Sequence, residues 1–114
     1  MKTKLPESTE HEIQQVIINY LKLKGYYVIR LNSGRMSYEY KGRRSFMMLA
    51  EKGTPDLMAF KKIYPGKPGN ILIFVEVKRP GKKPTYLQEQ KMKELEEYGA
   101  KCIVATSIDD LKDL

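Results

Sequence analysis

Two short apolar segments, residues 57–63 and 71–77, flank "YPGKPGN", a run of turn residues. This arrangement constrains the fold more than any other feature of the chain, because β-branched and aromatic residues on either side of a proline and glycine turn predict an antiparallel hairpin. Residues equally distant from the turn centre then lie opposite one another. Asp56 and Glu76 are equally distant from residue 66, so their carboxylates are expected to meet side by side. Within "FVEVK" the side chains alternate, which puts Phe74, Glu76 and Lys78 on one face and Val75 and Val77 on the other. Like charges held together cost stability, and a divalent cation is the usual way to keep such a pair ionised. The plain alternative is an ordinary strand whose Glu and Lys form an ion pair, with Asp56 merely following a turn at Pro55. An aspartate at the mirrored position behind a proline favours a site.

The rest of the chain supplies elements to surround this hairpin. Residues 13, 16, 17, 20 and 21 are Ile, Val, Ile, Tyr and Leu, the stripe of an amphipathic helix expected from Ser8 to Lys24 and stopped at Gly25. "YYVIRL" reads as a strand, and "SYEYKGRRSFMMLA" as a hairpin turning near Lys41 and Gly42. After Pro84 a helix is expected from Thr85 to Tyr98, ending at Gly99, then the strand "AKCIVAT" and a short terminal helix after Ser107. No repeat, low-complexity tract or linker interrupts the pattern. At 114 residues and 41% apolar content, one domain with a modest core is expected.

Composition narrows the function classes. No stretch approaches the roughly 20 apolar residues of a membrane span, and "MKTKLPESTEHE" lacks the apolar run of a signal peptide. A soluble, cytoplasmic protein is expected, with no membrane partner. The single cysteine, Cys102, reads as a buried strand residue, and one chain can form neither a disulfide framework nor a cysteine zinc site. A formal charge of +7 favours polyanions such as nucleic acid. Arg30, Arg35, Lys41, Arg43 and Arg44 are interleaved with Tyr38, Tyr40 and Phe46, and Lys78, Arg79, Lys82 and Lys83 form a second basic cluster.

"PD" at 55–56 followed by "EVK" at 76–78 resembles the PD-(D/E)xK nuclease superfamily, and more of the chain is similar to one branch, the VRR-NUC domain family. The matching elements are Glu10 in "TEHEIQ", "RLNSG" at 30–34, "GTPD" at 53–56, "EVK" at 76–78 and Gln88 in "TYLQEQ". Their order holds across nearly the whole chain. The resemblance implies an α/β fold of the restriction endonuclease type, with an αβββαβ core and a mixed sheet flanked by helices. It also implies phosphodiester hydrolysis in DNA with Mg2+ or Mn2+. Small phage-type members are similar to Holliday junction resolvases, which implies branched DNA, a homodimer, and a phage or bacterial protein of the cytoplasm.

On that resemblance Asp56 and Glu76 are expected metal ligands, joined by the backbone carbonyl of Val77, a hard-oxygen set suited to Mg2+. Lys78 would orient or deprotonate the attacking water. Glu10 is favoured over Glu12 as the helix carboxylate, because Glu10 lies nearer the apolar stripe and Thr9-x-x-Glu12 fits a capping box. Plain stabilisation of the first helical turn is the alternative for Glu10. Gln88 has two compatible readings. Thr85-x-x-Gln88 is itself a capping-box pattern, and Gln88, Met92, Leu95 and Gly99 share a face that would aim the amide at the site. His11 reads as solvated. The central Tyr and Met residues suit a core or dimer surface better than base stacking. Arg35, Arg43, Arg44, Lys82 and Lys83 are candidate DNA phosphate contacts. Three functions stay open: a structure-selective endonuclease, a nuclease of the same fold acting on duplex, nicked or flap DNA, and an inactive DNA-binding module.

Overall fold

The computed structural model describes residues 7–31, 35–48 and 51–114, with side chains described outside residues 35–38, 40 and 45–48. Helix α1 (Glu10–Leu23) begins at a complete capping box. The Thr9 hydroxyl accepts the Glu12 N–H at 3.1 Å and the Glu12 carboxylate accepts the Thr9 N–H at 3.3 Å. The helix stops at Gly25, whose φ of +90° suits glycine far better than residues with a Cβ. Ser8 and Lys24, expected inside the helix, lie beyond its ends, Lys24 as the C-terminal cap.

Strands β1 (Tyr27–Arg30), β4 (Leu57–Lys62), β5 (Asn70–Val77) and β6 (Lys101–Ala105) form one mixed sheet in the order β1, β4, β5, β6. The first two pairings are antiparallel and β5 runs parallel to β6. Parallel neighbours need a crossover, here supplied by helix α2 (Tyr86–Glu97). A 3-10 helix, Ile108–Leu111, follows β6 and buries Leu111. The αβββαβ order is therefore α1, β1, β4, β5, α2, β6.

Strands β2 (Arg35–Tyr40) and β3 (Arg43–Met48) form a separate antiparallel hairpin between β1 and β4. Its turn falls at Lys41 and Gly42, both with positive φ, as a two-residue hairpin turn of this hand requires. No helix among the described residues is long and apolar enough to cross a membrane.

One face of the sheet packs on α1. Ile13, Ile17, Ile18 and Leu21 meet Leu57, Ala59, Ile73, Val75 and Val77, and Leu111 closes the cluster. Ile17 and Leu21 are fully buried, which stabilises the fold by about 2 kcal/mol for each side chain. The expected stripe is corrected in one place: Val16 is 54% exposed and Ile18 is buried instead. Positions 16 and 18 flank Ile17 on opposite sides of a helix, and the sheet lies on the Ile18 side. Cys102 is half-buried on β6, its thiol 3.6 Å from the Met92 carbonyl. Burial raises that thiol to about 11, which keeps it protonated and inert.

Candidate active site

The β4–β5 register pairs Leu57 with Val75, so the next step of the ladder brings Asp56 opposite Glu76. Asp56 is held at two points. Its carbonyl accepts the Leu31 N–H at 2.7 Å, extending the β1 pairing, and its Oδ2 accepts the Val77 N–H at 2.8 Å. A strand residue turns its N–H and C=O to the same edge, so the Val77 carbonyl belongs to the Asp56 side of β5.

Glu76 lies on the sheet face opposite α1 and is 2% exposed. Its two oxygens differ. Oε1 accepts the Gln88 Nε2–H at 3.1 Å and stands 3.7 Å from Lys78 Nζ, whereas Oε2 is buried with no hydrogen-bond partner. Burial, and after it the neighbouring Asp56 charge, pushes the Glu76 carboxyl up to about 8, with Lys78 opposing. Asp56 is also raised, mainly by burial, while the Val77 N–H works the other way.

Gln88 makes both of its expected contacts. Its Oε1 accepts the Thr85 N–H at 2.8 Å and its backbone N–H donates to the Thr85 hydroxyl at 3.2 Å, completing a capping box. The remaining amide nitrogen is then the group that meets Glu76. A cap that starts the helix thus also orients a donor toward the carboxylate.

Glu10 is the first residue of α1 and exposed, and its charge acts on both carboxylates, raising each. Glu12 is occupied by the cap. His11 is exposed. Among the described residues, no three His, Cys, Asp or Glu side chains converge as a ready-made metal cluster. The donors nevertheless suit a hard divalent cation, because a buried carboxylate oxygen without a partner stands beside a second raised carboxylate.

The basic candidates are further apart. Arg43 and Arg44 are exposed at the β2–β3 turn, and Lys82 and Lys83 are exposed in the loop before α2. The side chain of Arg35, and Asn32, Ser33 and Gly34 of "RLNSG", lie outside what is described. So do the side chains of Tyr38, Tyr40 and Phe46.

Sequence reasoning missed the strap that joins the Asp56 loop to α2. Gly53 has a φ of +89°, and a Cβ there would stand 2.7 Å from the Leu87 carbonyl oxygen. Glu51 pairs with Lys91 one turn further along the same helix. Both contacts fall beside Gln88, so the loop carrying Asp56 packs against the helix carrying Gln88 at two places. The glycine two residues before Pro55 was the available signal. Arg79, read from the sequence only as part of a basic cluster, donates from its Nη2 to Glu7 at 2.6 Å, beside Lys78.

The fold class defined by these elements is that of the restriction endonuclease-like α/β proteins. A solved structure described as a VRR_NUC domain has the same fold, with a TM-score of 0.59 and 24% identity over 94% of this chain and 95% of that one. No protein-family model matches the sequence, and no curated protein matches it.

Proposed function

We propose that this protein is a metal-dependent DNA endonuclease that hydrolyses phosphodiester bonds, selects branched DNA such as four-way junctions, and acts as a homodimer. The observation that carries this reading is Glu76: a buried carboxylate with one oxygen tied by Gln88 and Lys78 and the other left without a partner beside Asp56. Burying such a group costs stability, and ligation of a cation would offset that cost. The likeness to a VRR_NUC domain supports the nuclease class.

Asp56, Glu76 and the Val77 carbonyl would hold Mg2+ or Mn2+. Held there, such an ion would supply the acidity needed to ionise a water and the charge to polarise the phosphate. Lys78, with its side chain 14% exposed, directs its ammonium toward the attacking water or a phosphoryl oxygen. Gln88 keeps Glu76 in place, and Glu10 adds negative charge at the rim that favours a cation. Arg43, Arg44, Lys82 and Lys83 contribute phosphate attraction away from the cut point.

A cleavage assay tests this. A labelled four-way junction is compared with linear duplex, single strand and a splayed fork, in Mg2+, Mn2+ or EDTA. Paired symmetrical cuts confined to the junction, abolished by EDTA and by Asp56→Asn, Glu76→Gln or Lys78→Ala, are expected. Metal-dependent cutting of the other substrates alone would remove the junction selectivity. Binding without cutting would replace the enzyme by a DNA-binding module.

A further inference from the structure

The sheet face that carries Glu76 continues, away from α1, to an aromatic and cationic end that the carboxylate site does not use. Cross-strand partners share a face, so Phe60 lies beside Tyr27 on one side and Leu72 on the other. The Tyr27 and Phe60 rings are 5.5 Å apart. They border a concavity of about 580 Å³ formed by the start of β1, the end of β4 and the β4–β5 turn, with Lys61 and Lys62 in its wall. Tyr27 is 65% exposed, and Tyr64 in the adjoining turn is 62% exposed with Lys67 Nζ 6.0 Å from its ring centroid. Lys61 is turned inward, donating to the Lys24 carbonyl at 3.2 Å and standing 4.5 Å from the centre of the Tyr26 ring. Lys62 and Lys67 are exposed and available to a ligand.

The segments that border the concavity carry charge of one sign. Residues 13–38 and 57–75, which supply all three bordering segments, contain no Asp or Glu. Exposed aromatic rings set among lysines bind unstacked bases on their faces while the lysines follow the phosphates. A duplex hides its base faces, so it would engage the lysines only. A second copy of this chain is disfavoured, because a two-fold interface would set the same lysines against each other. The six residues of β4 separate this end from Asp56 by about 20 Å.

We propose that this concavity holds an unpaired DNA strand of the substrate, with bases on Tyr27 and Tyr64 and phosphates on Lys62 and Lys67. Resting on the nuclease reading, this makes the substrate class branched DNA in which a strand left unpaired at the branch reaches about 20 Å from the cut point.

The chain contains no tryptophan, so Tyr27→Trp introduces a single reporter at the surface. In EDTA, a short oligothymidylate is expected to quench its emission, with an affinity that falls as salt is added and drops roughly tenfold or more when Lys62→Glu and Lys67→Glu are added. Emission unmoved by saturating oligothymidylate, or quenched equally by blunt duplex, would overturn the proposal. Emission that tracks protein concentration without DNA would overturn it too, in favour of a contact between copies. Failure of the nuclease reading shows separately: the unaltered protein would cut no substrate in Mg2+, while the quenching in EDTA would still establish the strand site.

Discussion

The Gln88 amide has one orientation open to it, because its oxygen is engaged by the Thr85 N–H and only its nitrogen is left for Glu76. Glu76 itself links stability to pH. Its carboxyl moves from an ordinary value of 4.5 to about 8 in the folded protein. Below 4.5 folded and unfolded chains both carry the proton. As pH rises, the unfolded chain ionises first and the folded one must bury a charge, so metal-free stability falls as pH rises from 4.5 through about 8. Thermal melts in EDTA across that range should show this decline, and Glu76→Gln should flatten it. An equal decline in the variant would assign it to other groups. Gln88→Glu keeps an acceptor for the cap but sets a carboxylate against Glu76, so its melting temperature should fall more steeply with pH than that of the unaltered protein.

At the scale of elements, α2 is held to the Asp56 loop by close backbone approach as well as by charge. Gly53→Ala would place a methyl 2.7 Å from the Leu87 carbonyl in a backbone conformation that L residues rarely adopt. A loss of about 1–3 kcal/mol is expected, read as a lower urea midpoint with an unchanged slope. No loss would mean that α2 shifts freely and that the strap does not set the position of Gln88. Helix α1 gives a contrasting pair. Ile17 is fully buried and Val16 is 54% exposed. Ile17→Ala should cost about 2–5 kcal/mol and Val16→Ala roughly 0.5 kcal/mol or less, both measured by urea unfolding.

The whole molecule carries a charge of +7, with lysines and arginines at the β2–β3 turn, in the loop before α2 and at the β4–β5 turn. If several of these lysines and arginines meet phosphates together, log affinity for DNA should fall linearly with log salt, with a slope that grows with the number of contacts. Fluorescence anisotropy of labelled DNA in EDTA measures this without cleavage. A binding constant that is flat from low to physiological salt would exclude phosphate contacts as the main source of affinity.

The local sequence determined the elements and one crucial register. Turn residues at 64–70 made Asp56 and Glu76 opposite neighbours, because antiparallel pairing is counted outward from the turn, and both capping boxes were legible because each is closed within four residues. Likewise, "EVK" placed Glu76 and Lys78 on one face through the two-residue period of a strand. Periodicity was less exact about which flank of Ile17 faces inward, since a helix can rotate slightly on a sheet without changing its apolar pattern. The helical face of Gln88 aimed its amide toward the site, but tertiary packing alone decided that Glu76 is its partner, that Glu76 Oε2 is buried without a partner, and that Gly53 sits against the Leu87 carbonyl. These contacts join residues far apart in the chain, and their distances follow from how α2 and the Asp56 loop dock on the sheet, a degree of freedom no local pattern encodes.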